Sequence, residues 1–137
     1  MFKTPKQVFL KETDASGILY FNTIFDYAVQ SFESFLLEKQ IVLSDFFSQG
    51  YQLPIVHAEA DFKAPILPGQ WLELQLRLDR LGKNSFTLAC DIFNKNSNTL
   101  SGHVKVVHVF KHAKQNNSSE VPKEIRELLL RHLSGDA

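Results

Sequence analysis

The chemistry of this chain can be organised around Asp14. It sits in the polar turn Lys11-Glu12-Thr13-Asp14-Ala15-Ser16-Gly17, ahead of the apolar-aromatic run Ile18-Leu19-Tyr20-Phe21 and a long helical pattern. The first amides of a helix lack intrahelical acceptors and carry the positive end of its dipole, so they can hold an oxygen on which negative charge develops. A carboxylate and an oxyanion site would then be neighbours. By type and position alone, an Asp ahead of a Gly is more often a turn or capping residue than a catalyst. His57 stands beside Glu59 and Asp61 on the polar face of a strand, where a histidine is ordinarily just solvated. Lys63 and the turn Arg80-Leu81-Gly82-Lys83-Asn84-Ser85 offer cations, hydroxyl and amide donors suited to phosphate, although a hairpin lysine too is ordinarily solvated. His103, His108 and His112 resemble a metal-ligand set until their strand setting is considered. Four residues apart, His108 and His112 are about 13 Å from each other at strand rise, too far for one ion, and no metal site is expected. Cys90 shares the apolar face of Phe86, Leu88 and Ile92 and reads as a core thiol rather than a nucleophile.

The elements that must position these groups follow from periodicity. Val8 to Leu10 reads as a short edge strand. From about Phe21 to Lys39, Ile24, Phe25, Ala28, Phe32, Phe35 and Leu36 recur at helical spacing, with Asn22 available as a cap, and such a helix would reach about 27 Å. A short helix follows over Leu43 to Ser48. The period then changes to two. Val56, Ala58, Ala60 and Phe62 form one strand face, whose small Ala pair would admit a helix closely, with Ile55, His57, Glu59 and Asp61 on the other. Leu72, Leu74, Leu76 and Leu78 alternate with Glu73, Gln75, Arg77 and Asp79, and Leu81-Gly82-Lys83-Asn84 turns the chain into Phe86, Leu88, Cys90 and Ile92. Gly102 to Phe110 is apolar on both faces. Ala113 to Glu120 reads as a loop, and Pro122 opens an amphipathic helix over about 121–133 that Gly135 ends. Strand, long helix, then four strands joined by turns is an α+β pattern, an antiparallel sheet wrapped around one central helix in the hot-dog arrangement. The doubly apolar last strand points to a second subunit.

Bulk properties narrow the function classes. The 137 residues, 44% hydrophobic and including 12 Phe, suit a single domain, 1–137, with a sizeable core. Fifteen Lys plus Arg balance fifteen Asp plus Glu, which removes the long-range field of a general nucleic-acid binder. One cysteine cannot form an internal disulfide, and no apolar run reaches the ~18 residues of a membrane span, so a cytoplasmic address is expected.

The segment Glu12-Thr13-Asp14-Ala15-Ser16-Gly17-Ile18-Leu19-Tyr20-Phe21-Asn22 resembles the signature of the 4-hydroxybenzoyl-CoA thioesterase family of hot-dog proteins. Its order is Asp, two residues, Gly, two aliphatics, then aromatics and Asn. The resemblance runs from about residue 6 to 130, through Leu53-Pro54-Ile55-Val56-His57-Ala58-Glu59-Ala60-Asp61-Phe62-Lys63-Ala64-Pro65, Pro68-Gly69 and Arg80 to Leu88. It implies an acyl-CoA thioesterase with Asp14 as the essential carboxylate and the backbone amide of Phe21 as oxyanion donor. Gly17, Tyr20, His57, Lys63, Lys83, Asn84 and Ser85 are implied on the substrate. The resemblance implies no cofactor, CoA being part of the substrate, and a homo-oligomer, dimer or dimer of dimers (a homotetramer), with the site at a subunit interface. Within the family, Tyr20-Phe21-Asn22, Glu33-Ser34 and Leu53 to Ala58 look closest to the 1,4-dihydroxy-2-naphthoyl-CoA hydrolases. The Tol-Pal-associated short-chain branch places His where this chain has Phe21. A short- to medium-chain acyl-CoA or acyl-carrier-protein thioesterase and a non-catalytic acyl-binding hot-dog protein are the alternatives. Thioester cleavage needs few side chains, because the thiolate is a good leaving group. Asp14 serves either as nucleophile or as base toward water.

Overall fold

In the computed structural model, residues 1–114 and 119–134 are described. The alternation of Leu72, Leu74 and Leu76 with charged and polar residues builds β4 (Trp71–Leu81), in which these three Leu side chains are buried, Leu78 and Leu81 are half-buried, and Glu73, Gln75 and Arg77 face outward. The Gly82 turn returns the chain as β5 (Ser85–Asn94), and β6 (Thr99–Val109) follows. With β1 (Phe2–Gln7) and β3 (Ile55–Phe62) they form one antiparallel sheet, ordered β1-β4-β5-β6-β3. β2 (Tyr51–Gln52) and β7 (Lys111–His112) make a separate two-stranded ribbon. Against the apolar face of the sheet lies α1 (Thr23–Glu38), about 24 Å long, burying Ile24, Tyr27, Ala28, Phe32, Phe35 and Leu36. A short α2 (Leu43–Ser48) follows it, and α3 (Lys123–His132) closes the far end of the sheet. Among the described residues, no helix is long and apolar enough to cross a membrane.

Two contacts fix this arrangement where it matters for the site. Gly102 on β6 lies under the first turn of α1, and a Cβ there would come within 2.6 Å of Ile24 Cδ1. A side chain there would displace the buried Ile24 tip, so glycine lets the helix start sit this close with Ile24 as it is. At the other end, Arg126 of α3 donates to the carbonyls of Gly82 (2.7 Å) and Lys83 (3.1 Å), and Val121 N–H donates to Lys83 O (3.0 Å). The β4–β5 hairpin is thereby tied to the last helix.

The structure revises several boundaries. The first strand is Phe2–Gln7 rather than Val8 to Leu10. Pro5 fits there because β1 is an edge strand, and Val8 instead anchors a loop through Gln70 O (2.9 Å), with Leu10 opening a 3-10 turn. The long helix begins at Thr23, and Asn22 makes no side-chain cap. The Ala58/Ala60 face meets the helix only in part, Ala60 packing against the core while Ala58 stays exposed. β3 is an edge strand exposed along nearly its whole length, and Ala60 alone is half-buried. In β6 the inward residues Val104, Val106 and His108 are buried, whereas Val107 and Val109 are only half-buried. Gln115 to Ser118 of the expected loop and the helix-ending Gly135 lie outside the described residues.

The three histidines occupy three unrelated settings. His103 is on the outer sheet face, with Nδ1 2.5 Å from Asp91, which also accepts from Arg77 at 2.9 Å. His112 contacts Gln49 O at 2.9 Å. His108 is buried between aromatic rings, stacked on Phe86 (5.2 Å, 17°) and 5.0 Å from Phe32. Burial pushes its pKa down to about 4, and its Nδ1 has no partner among the described residues. Cys90 is buried, and desolvation pushes its thiol up to about 12, as suits a core residue and not a thiolate.

Candidate active site

The loop carrying Asp14 is folded by its own backbone. Gly17 N–H donates to Asp14 O and Asp14 N–H to Ile18 O, each at 3.0 Å, while Thr13 and Leu19 form an isolated antiparallel bridge and Tyr20 N–H reaches Glu12 O at 2.9 Å. These rungs close residues 12–20 into a narrow ladder whose two ends are Glu12 and Tyr20. Gly17 has φ +81° with open space around it, so its absent side chain matters for the left-handed turn, not for room. The ladder is fastened to the sheet. Leu19 N–H donates to Ile66 O (2.8 Å), and the Lys63 and Ala64 amides donate to Ser101 O of β6.

Asp14 itself is solvent-exposed. Its Oδ1 accepts the Ser16 amide at 2.8 Å and the Ser16 hydroxyl, and these bonds, the hydroxyl first, hold its pKa below the ordinary Asp value. Among the described residues Oδ2 has no hydrogen-bond partner within bonding geometry and no cation is paired with this carboxylate, while the Asp14 and Ile18 amides add smaller lowering contributions. An ionised oxygen is therefore open to a reacting carbon or to water. Sequence reasoning passed over Ser16. The Asp-x-Ser spacing, typical of side chains that bond to backbone two residues on, was the available signal.

Nine residues after Asp14 the chain enters α1. Thr23 N–H is spent on Tyr20 O (3.0 Å), but the Phe21 and Asn22 amides have no acceptor among the described residues. They stand at the positive end of a 16-residue helix. Because Tyr20 is clipped to Glu12, the Phe21 amide and the Asp14 carboxylate belong to one small unit. The rings of Tyr20 and Phe21, both exposed, lie 5.1 Å apart and tilted.

Beside this unit is a groove of about 360 Å³ lined by Ile18, Leu19, Phe62, Lys63, Ala64, Pro65 and Ile66. It is mostly apolar, with the Lys63 ammonium as its one cation. Asp14 borders it through Ile18, whose carbonyl holds the Asp14 amide, without itself lining the wall.

Of the nine sequence-proposed site residues, the fold brings together Asp14, Gly17, Tyr20, Phe21 and Lys63. Lys83, Asn84 and Ser85 are elsewhere. Phe62 pairs with Gly102, which pairs with Ile92 near one end of β5, whereas Ser85 begins the other end of this ten-residue strand, about 30 Å long. Lys83 there faces Glu120 (3.5 Å), and both side chains are well exposed. His57 is on the exposed edge strand, 3.3 Å from Glu59 and five residues from Phe62. Within one chain, then, the hairpin and His57 do not reach Asp14.

Comparison with known proteins adds to this geometry. Residues 8–129 match the model of the thioesterase-like superfamily. The chain is similar to the 1,4-dihydroxy-2-naphthoyl-CoA hydrolase of Trichodesmium erythraeum, 30% identical over 125 residues that cover 90% of this chain and 91% of the relative. It is 31% identical to the protein of that name from Synechocystis, over 79% of each chain. Among solved structures, a 1,4-dihydroxy-2-naphthoyl-CoA thioesterase from Synechocystis superimposes with a TM-score of 0.90 at 26% identity, covering 96% of both chains.

Proposed function

The chain belongs to the thioesterase-like superfamily and is a hot-dog thioester hydrolase, and from that premise we propose that it hydrolyses an aryl-CoA thioester, 1,4-dihydroxy-2-naphthoyl-CoA foremost, using Asp14 and the Phe21 amide. The observation that carries this reading is the Asp14 carboxylate, with one oxygen held by Ser16 and the other free, one ladder away from two unpartnered amides at a helix start. In the reaction the thioester carbonyl oxygen takes up negative charge and is met by the Phe21 N–H, with the Asn22 N–H beside it. Asp14 Oδ2 attacks the carbonyl carbon, thiolate leaves, and water then splits the mixed anhydride. Alternatively Oδ2 removes a proton from water as that water attacks. Both routes yield free acid and CoA thiol. The aryl preference rests on the relatives' substrate and on exposed aromatic side chains, Phe62 in the groove wall and Tyr20 and Phe21 next along the chain from its Ile18–Leu19 wall.

We further propose that the working unit is a homo-oligomer, at least a dimer, joined through β3. This strand is an eight-residue sheet edge with exposed Ile55, Val56 and Phe62, a surface that invites pairing. If two β3 strands pair antiparallel, the ends of the sheet are exchanged, and the partner's hairpin end comes to the side of this chain's Asp14. Lys83, Asn84 and Ser85 would then act on the phosphates of a CoA bound to the neighbouring subunit, and His57 would lie at the interface.

A thiol-release assay on 1,4-dihydroxy-2-naphthoyl-CoA, 4-hydroxybenzoyl-CoA, acetyl-CoA, hexanoyl-CoA and an acyl-carrier-protein thioester tests the reading. Aryl-CoA kcat/KM exceeding the alkyl values by about tenfold or more is the expected result. Alkyl substrates leading would replace the aryl assignment, and no turnover of any would remove the enzymatic one.

A further inference from the structure

Glu12 lies two residues before Asp14, yet its side chain turns away from it into the junction of three elements. Its carboxylate accepts the Phe9 N–H at 2.8 Å and the Tyr27 hydroxyl at 3.0 Å, and the Lys6 ammonium lies at 3.3 Å. Lys6 belongs to β1, Phe9 precedes the 3-10 turn, and Tyr27 is one turn into α1. Lys6 also stands over the rings of Phe9 (4.9 Å) and Tyr27 (5.5 Å), completing the enclosure. The Glu12 side chain is only 12% exposed. Burial alone would push its carboxyl up, but the Phe9 amide, the Tyr27 hydroxyl and Lys6 together bring it below the ordinary Glu value, so it is charged. The fully buried Tyr27 would otherwise leave a phenol without an acceptor. On its backbone side, Glu12 accepts the Tyr20 N–H through its carbonyl, the rung next to Phe21.

We propose that Glu12 is a positioning residue: its carboxylate pins the Asp14 loop to β1 and α1, and its carbonyl transmits that fixed position to Tyr20 and hence to the Phe21 amide. The two halves of the site, carboxylate and oxyanion donor, are held in register by one side chain that touches neither substrate nor reacting atoms. This proposal rests on Asp14 and Phe21 forming the site, as argued above.

The test uses the full chain and the variants Glu12→Gln, Tyr27→Phe and the double variant. Steady-state kinetics on the best aryl-CoA substrate are combined with NMR exchange of the Asp14 and Tyr20 amides, the two bonded rungs of the loop. Glu12→Gln should lower kcat about tenfold or more with KM within about threefold, and accelerate exchange of the bonded Asp14 and Tyr20 amides about tenfold while β5 amides stay protected. Tyr27→Phe should act in the same direction but less, and the double variant should be no worse than Glu12→Gln alone, since both open one clamp. If Glu12→Gln does not fold, Tyr27→Phe carries the test by the same readouts. An unchanged kcat, a fall that comes with exchange accelerated throughout the sheet, or full additivity would overturn the proposal. If the wild-type protein cleaves no thioester, the functional reading has failed and Glu12 is judged by exchange alone: local acceleration at Asp14 and Tyr20 supports the clamp, and unaltered exchange refutes it.

Discussion

Replacing His108 by Phe isolates the acid sensitivity built into the core. His108 is held neutral between Phe86 and Phe32, with a pKa of about 4 against 6.5 for a solvated imidazole. Between these values the unfolded chain binds a proton that the folded chain does not, so stability falls as pH drops from 6.5 toward 4 and is unaffected by this group above that window. Each pH unit removes up to about 1.4 kcal/mol, so roughly 3 kcal/mol is lost across the window, a sizeable part of the ~5–15 kcal/mol of an ordinary domain. Phe keeps the ring contacts and removes the unpartnered Nδ1. The lowered carboxyls Glu12 and Asp14 also lose stability in acid, but only as pH falls through their own lower range, and both proteins share them. Urea unfolding of wild type and His108→Phe at half-unit steps from pH 7.5 to 4.5 is the assay. The gap between the two should be flat above about pH 6.5 and should widen below it by up to about 1.4 kcal/mol per unit. A gap that stays constant across the window would refute the buried neutral imidazole.

Asp14→Asn should reduce kcat by about 10³-fold while leaving the thermal midpoint close to wild type, because the amide oxygen can still accept the Ser16 bonds and the residue is exposed. A single turnover in heavy-oxygen water then separates the routes for wild type, since only the nucleophile route places unlabelled Asp14 oxygen in the first product. Ser16→Ala removes the hydroxyl that does most to hold Asp14 ionised, so the acid limb of kcat should move to higher pH; an unmoved limb would show that Ser16 does not tune the reacting carboxylate. Gly102→Ala should destabilise by about 1–3 kcal/mol through contact with Ile24, and Ile24→Val in the same chain should recover part of that loss in a denaturant titration. Lys83→Glu should raise KM for acyl-CoA and flatten its salt dependence, and an unaltered KM would return Lys83 to the solvated surface.

What periodicity alone determined is the list of elements and their type. The Leu72 to Leu78 alternation could only be a half-buried strand, the Ile24 to Leu36 spacing only a helix with one apolar face, and Gly82 only a turn, because each pattern is a local consequence of backbone geometry. The Asp-x-x-Gly turn ahead of the helix was equally visible, but by itself it reads as a turn or cap; the candidate role of Asp14 and of the Phe21 amide came from the resemblance to the thioesterase family. Boundaries at the first strand and the helix start were not, since Val8 and Asn22 are decided by partners distant in sequence, Gln70 and the ladder from Glu12 to Tyr20. Tertiary structure also decided which strand is an edge. β3 alternates like a covered strand, yet its order in the sheet leaves it open on one side, and no local pattern encodes strand order. It separated the hairpin cations from Asp14 by the length of a strand and placed Glu12 against Tyr27 and Lys6, residues fifteen and six positions away. Such contacts depend on how whole elements pack, which is a property of the assembled core and not of any window of the chain.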